Sequence, residues 1–358
     1  IEEDPVDKNT VDLKVKVKEA STGSISGGIG YGSSDGLLLN AALSDTNIFG
    51  SGLQGQVSVD KSDRELSGQI SLTNPRIFDS EYSLGGTLYA NDYDWRTYKE
   101  RSYGFSTTLG RKLTRNLSAS LGYIIEQSRI SGLSDVLKTV GYKDGKSLKS
   151  SLIPSITYNS TDDYYLPRTG IIASTSLEFA GVGGDEKFLK SRTNFNWYQG
   201  IREWVDYDLI FRFKSSFGKI WDRGWVPINE RLYLGGIRNL RGFESRTVSP
   251  KVKALNGQWY ETGGTISFNS SAELSFPIIE RVKMRGVMFV DYGVIEGKHV
   301  QRRAGYEYID GRISRYSAGV GIEWVTPMGP LQLIFAKPLN KQDSDDTSTF
   351  EFTIGQRF

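Results

Sequence analysis

Apolar and polar residues alternate with a period of two along most of the chain, which is the periodicity of a strand. Leu66, Gly68, Ile70 and Leu72 alternate with Ser67, Gln69, Ser71 and Thr73. Leu117, Ala119, Leu121 and Tyr123 do so with Ser118, Ser120 and Gly122, and Tyr316, Ala318, Val320, Ile322 and Trp324 with Ser317, Gly319, Gly321 and Glu323. In a strand the two sets point to opposite faces. The second face carries charge: Asp208, Arg212 and Lys214 lie opposite Tyr207, Leu209, Phe211 and Phe213. A soluble sandwich would turn such a face to bulk water. A membrane barrel turns it to a wet lumen and gives the apolar face to hydrocarbon. Three features favour the membrane: segments of ~9–11 residues, aromatic residues at segment ends where an interfacial girdle needs them, and no helical pattern to cover a sheet.

The expected fold class is therefore all-β, a transmembrane antiparallel barrel of about sixteen strands, an even number as single-chain bacterial barrels have. The strands fall near 24–32, 36–45, 53–63, 64–74, 81–92, 99–113, 117–130, 149–160, 171–180, 188–198, 206–218, 264–277, 283–293, 313–325, 331–338 and 347–358. Asn74–Ser80, Lys112–Asn116 and Pro327–Pro330 make short connections; Asn91–Lys99, Ser131–Gly145, Ile220–Gly263 and Ile295–Arg312 make long ones. Short turns on one side and long loops on the other give an outer-membrane barrel its sidedness, with the long loops outside the cell.

Composition agrees. Hydrophobic residues are 38% of 358, aromatics 12%, and mean hydropathy is −0.38. A barrel apolar only on alternate residues has such values, and no run approaches the ~18 apolar residues of a spanning helix. The net charge of +2 gives no field for nucleic acid, and the absence of cysteine excludes thiolate metal sites and cysteine nucleophiles. No cofactor is expected. The chain starts at Ile1 without a signal sequence, and the expectation is a fragment or processed form whose precursor carries one.

Residues 1–21 differ from the rest. Val11, Leu13, Val15 and Val17 alternate with Asp12, Lys14, Lys16 and Lys18, as in one strand of a soluble sheet. The barrel would begin at residue 22. Its first strand is poor in side chains: Ser26, Gly28, Gly30 and Gly32 alternate with Ile25, Gly27, Ile29 and Tyr31. Glycine weakens a strand interior. This strand must close the barrel against the last one, where Phe350, Phe352, Ile354 and Phe358 share a face and Gly355 interrupts the alternation. A weak seam follows, unless the small residues only make room in the lumen. Parity also points two carboxylates inward, Glu273 opposite Ala272 and Leu274, and Asp291 opposite Val290 and Tyr292. The connection Ile220–Gly263 is too long for a simple hairpin loop.

Within it, YLGGIRNLRGFES (Tyr233–Ser245) resembles the sixth extracellular loop of the BamA family of outer-membrane protein assembly factors, whose motif is Val/Leu-Arg-Gly-Phe. TGSISGGIGYGS (Thr22–Ser33), SLTNPRIF (Ser71–Phe78), VTPMGPLQL (Val325–Leu333) and FEFTIGQRF (Phe350–Phe358) resemble the same family in the same order. Val11–Gly23 is similar to the end of a POTRA domain running into a barrel, and the terminal aromatics resemble the barrel recognition signal. The resemblance implies that the loop folds into the lumen, where Arg241 meets Glu273 and Asp291, Gly242 allows a tight turn and Phe243 packs on the wall. It implies no enzyme, but a factor that inserts barrel proteins by opening its seam sideways. Its implied partners are unfolded barrel clients, outer-membrane lipids, accessory lipoproteins and periplasmic chaperones. TamA-like translocation factors and two-partner secretion transporters carry the same motif and remain alternatives, with a passive porin behind them. A hydrolase triad would have to use His299, the one histidine.

Overall fold

The computed structural model describes residues 2–7, 10–14, 20–163, 166–202, 206–297, 301–326 and 329–355. The alternating segments form sixteen strands, labelled β1 to β16 in chain order. They are β1 (Gly23–Gly32), β2 (Gly36–Asp45), β3 (Gln54–Lys61), β4 (Glu65–Asn74), β5 (Tyr82–Asp94), β6 (Lys99–Lys112), β7 (Leu117–Ser131) and β8 (Gly145–Asn159). The second half holds β9 (Thr169–Gly184), β10 (Phe188–Gly200), β11 (Ile210–Asp222), β12 (Ile266–Ile279), β13 (Met284–Gly297), β14 (Gly311–Thr326), β15 (Gly329–Pro338) and β16 (Phe350–Ile354). Each pairs antiparallel with its sequence neighbour, and β16 returns to β1 to close the barrel.

The faces follow the alternation. Ile70, Leu88, Met288, Val290 and Val320 are at least half exposed on the outside, while Ser271, Glu273, Asp291 and Ser317 are buried inside. This is the reverse of a soluble core, as expected where hydrocarbon surrounds the wall. Among the described residues no helix is long and apolar enough to cross a membrane.

All sixteen expected segments are strands, with three notable shifts. β8 begins at Gly145 instead of 149 because Gly145–Leu148 continues the ladder with Gln127–Ile130. β11 starts later, at Ile210, because Asp208 is held in the preceding turn by Arg168 and Arg285. β16 is much shorter than 347–358: Thr347 bridges to Phe243, and Gly355 turns the chain at φ +79°. Residues 356–358, with Phe358, lie outside the described residues, as does His299.

The long connections have structure of their own. Lys251–Lys253 pairs with Trp259–Glu261 on one edge and Glu307–Ile309 on the other. A short helix, Asp135–Thr139, is capped by the Ser134 side chain. These loops pack together through Tyr98, Leu137, Ile228 and Val252. At the other terminus, Glu2–Asp7 pairs with Thr10–Lys14; of the alternating run from Val11 to Lys18, residues 15–18 lie outside the described residues.

Candidate functional site

The segment around Arg241 is built as a tight hairpin. Leu234 bridges Val248, and the Gly236 amide donates to the Phe243 carbonyl at 2.8 Å. Gly235 and Gly236 have φ of +109° and +97°, which only glycine adopts without strain. A β-carbon on Gly235 would also stand 2.2 Å from the Glu244 carbonyl oxygen. Leu234, Leu240, Phe243 and Val248 fill the gap between this hairpin and the wall residues Ile295 and Ile313.

The hairpin delivers Arg241 to the inner wall. Its Nε donates to Asp291 Oδ2 at 2.7 Å, its Nη2 to Asp291 Oδ1 at 2.6 Å, and its own amide to Oδ2 at 3.1 Å. Nη2 also donates to the Ser271 hydroxyl at 2.6 Å, and Nη1 lies 3.0 Å from Glu273 Oε1. The guanidinium stacks over Phe289, 3.5 Å from the ring centre. This is the two-pronged geometry that suits guanidinium and carboxylate, here shielded from water. Glu273 is shared with β11: Arg212 Nε stands 3.0 Å and Lys214 Nζ 3.3 Å from Oε2, as ion contacts. Arg212 continues to Glu323 at 3.0 Å. Arg241, Arg212 and Lys214 thus meet Asp291, Glu273 and Glu323 in a chain of contacts across β11 to β14.

Arg241, Glu273 and Asp291 therefore come together. Gly242 follows with φ +89°, lying against Ala336 and Pro338, and Phe243 is fully buried. The Gly242 carbonyl accepts from the Ser348 amide at 3.1 Å, and the Glu244 amide donates to Asp346 at 3.0 Å. These bonds tie the hairpin to the connection that enters β16.

A second contact between loop and wall was not anticipated. Glu230, buried in the same long connection, accepts from Lys149 Nζ at 2.6 Å and from Lys190 Nζ at 2.7 Å. Lys190 also donates to the Glu230 carbonyl at 2.8 Å. Burial alone would raise the Glu230 carboxyl, but Lys190 and Lys149 overcome it and hold it well below the usual carboxylate range. Glu126 lies 3.2 Å from Lys149. Nearby, in the β9–β10 connection, Glu186 accepts from the Ser147 hydroxyl at 2.8 Å, and burial together with the Glu230 charge pushes its carboxyl up to about 7. Inward parity of Lys149 and Lys190 was readable; that both meet Glu230 was not, because the loop carries no periodicity. Phe289 has the parity of Asp291 and could have been named with it.

The seam is the other feature. β13 and β14 pair continuously from Met284–Trp324 to Gly297–Gly311, and β1 pairs along its full length with β2. β16 and β1 share only Thr353–Gly32 and Ile354–Tyr31. The Ser33 amide adds one bond to Phe352 at 2.9 Å, and Tyr31 stacks on Phe352 at 5.4 Å. Among the described residues, Gly23–Gly30 have no strand partner on that edge; Ser26 and Gly28 sit there exposed. Gly355, at φ +79°, carries the chain away past Gly30.

A closed sixteen-strand barrel with an inward loop pinned by arginine, and with a short closing strand, defines a class of membrane-embedded barrel. The Omp85 superfamily domain matches residues 47–358, and the chain belongs to that superfamily. It is 27% identical to the outer membrane protein assembly factor BamA of Nitratidesulfovibrio vulgaris, over 98% of this chain and 44% of that protein. It is also 27% identical to BamA of Neisseria meningitidis serogroup B, over 97% of this chain and 48% of that protein. The chain thus spans less than half the length of these relatives. The crystal structure of BamA from Haemophilus ducreyi lacking POTRA domains 1–3 superposes with a TM-score of 0.83 at 26% identity, covering 99% of this chain and 74% of that one. Fold and relatives together support an outer-membrane location.

Proposed function

We propose that this chain is the membrane part of an assembly factor that folds β-barrel proteins and inserts them into the Gram-negative outer membrane through the seam between β1 and β16. The observation that carries this is the unmatched edge of β1. Its free N–H and C=O groups from Gly23 to Gly30 are a template for a further strand. A client's terminal strand would pair there by β-augmentation. The remaining seam is two residue pairs, so opening it sacrifices little. Client folding supplies the driving energy. A short wall at β16 would thin the bilayer beside the seam.

In this reading Arg241, Asp291 and Glu273 keep the loop inside the lumen. The bonds from Gly242 and Glu244 to the approach of β16 couple loop position to seam position. Residues 1–21 are the end of a last POTRA domain in the periplasm, the long loops face the cell exterior, and accessory lipoproteins and periplasmic chaperones work with the full protein.

The chain has no cysteine, so a disulfide across the seam can be introduced cleanly. Facing residues of an antiparallel pair are close enough to be bridged. With Tyr31→Cys and Ile354→Cys, the oxidised protein should fail to sustain insertion in cells depleted of the native protein, and reduction should restore it. Continued insertion by the oxidised protein would rule out lateral opening.

A further inference from the structure

We infer that the β2–β3 and β4–β5 turns form a paired aromatic anchor that sits in the headgroup layer of the bilayer beside the seam. The two turns have related sequences, TNIFGSG (Thr46–Gly52) and TNPRIFDS (Thr73–Ser80), and one construction. In each, the residue before the isoleucine donates its amide to a side chain two positions back: Asn47 to Asp45 at 2.8 Å, Arg76 to Asn74 at 3.0 Å. In each, a serine hydroxyl donates back to the isoleucine carbonyl at 2.6 Å, Ser51 to Ile48 and Ser80 to Ile77.

The residue after each isoleucine is a phenylalanine in the left-handed region, Phe49 at φ +50° and Phe78 at φ +48°. A bulky side chain there is strained, and such strain persists only where something compensates it. Nothing among the described residues does: Phe49 is 102% exposed and Phe78 97%. Two large rings held out in the same strained conformation need an apolar environment beyond the described residues.

Their surroundings identify it. Both turns lie on the rim where β1 begins, opposite the long loops, since Gly23 pairs with Asp45. Ile48 folds back over Gly55, reaching within 2.5 Å of where a β-carbon would be. Gly55 has the parity of Val57 and Val59, so the turn lies against the lipid-facing side. Beside the second turn, Tyr82 points outward with the Arg111 guanidinium 5.1 Å over its ring. An outward tyrosine with an arginine marks the edge of the hydrocarbon. Next to Phe78, Arg76 and Asp79 form an exposed ion pair at 3.3 Å, a polar group that belongs at the headgroup level and not in hydrocarbon. The apolar band of the wall therefore continues into these tips. β2 is bonded to β1, so the anchor would fix the β1 side of the seam at the interface while β16 moves. The inference needs only that the barrel spans a bilayer, not the insertion role, and its test reads depth without clients.

Single nitroxide labels at Phe49→Cys and Phe78→Cys, in vesicles of phosphatidylethanolamine with a minority of phosphatidylglycerol, would report it. Collisions with oxygen should outweigh those with a water-soluble nickel chelate at both sites. At Leu255→Cys, on an exposed loop, the chelate should win. Chelate access at 49 and 78 equal to that at 255 would overturn the proposal. So would protection that develops only after an unfolded polypeptide is added, which would make the turns a chain-docking surface. Should the cysteine variants not fold, Phe49→Trp and Phe78→Trp give the same measurement through quenching by brominated lipid. Unquenched emission from the added tryptophans would overturn it equally.

Discussion

A β-carbon on Gly30 would stand 2.3 Å from the carbonyl oxygen of Ile354. That oxygen is backbone and cannot swing aside, so the close approach of β1 and β16 depends on this glycine. Gly28, two residues earlier on the same face, has open space around it. Gly30→Val should therefore push β16 off and destabilise the closed seam by ~1–3 kcal/mol, the usual scale of overpacking. Amide exchange at Phe352–Ile354 should quicken. Gly28→Val should leave exchange at β16 unchanged, since β-branched residues suit a strand. Equal effects of the two variants would show that steric closeness does not set the seam.

Removing the arginine that pins the loop should be costly. Arg241→Ala leaves Asp291 buried without its guanidinium partner, and breaking a buried pair costs about 3–5 kcal/mol. Arg241→Lys keeps the charge but cannot reproduce the fork, so it should fall between. Urea unfolding of the detergent-solubilised barrel, followed by heat-modifiable gel mobility, measures both. Protease cleavage within 223–265 should rise in the same order.

Glu230 should behave as a second latch. Glu230→Gln leaves Lys190 buried without its carboxylate, while Lys149 keeps Glu126, and a loss of about 3–5 kcal/mol is expected. Adding Lys190→Met removes the stranded charge, so the double variant should be more stable than Glu230→Gln alone. Additive losses in the cycle would mean that the three groups do not act together.

Glu186 predicts a pH dependence. Its carboxyl is raised to about 7 in the fold, so the folded state binds a proton that the unfolded state has already released. Stability from this group is complete below the ordinary carboxylate range and is lost as pH rises towards and through 7, on the order of 3 kcal/mol in all. Hydrogen-exchange protection around Ser147 and Glu186, taken relative to the intrinsic rise of exchange with pH, should weaken between about pH 5 and 8. In Glu186→Gln that pH effect should vanish, because the amide cannot ionise.

Much of the wall was legible in the sequence. Parity alone set Glu273 and Asp291 inward and Val290 and Tyr292 outward, because a strand has no other choice once one face meets lipid. Ends were less legible. Nothing local announces that Tyr207 and Asp208 leave the strand, since Asp208 is held by Arg168 and Arg285 from distant segments. The shortness of β16 was equally hidden, although Gly355 hinted at it. The Glu230 latch joins residues 81 positions apart on the Lys149 side, and no spacing rule reaches that far.

The sequence by itself determined the alternation, and with it the barrel, the number of strands and the side each residue faces, because a period of two is a local property of the backbone. Only the tertiary structure decided where the long loop goes, which wall charges it meets and how few residues close the seam. Those outcomes depend on satisfying buried charge and backbone groups across strands remote in sequence, and that balance exists only once the barrel has closed.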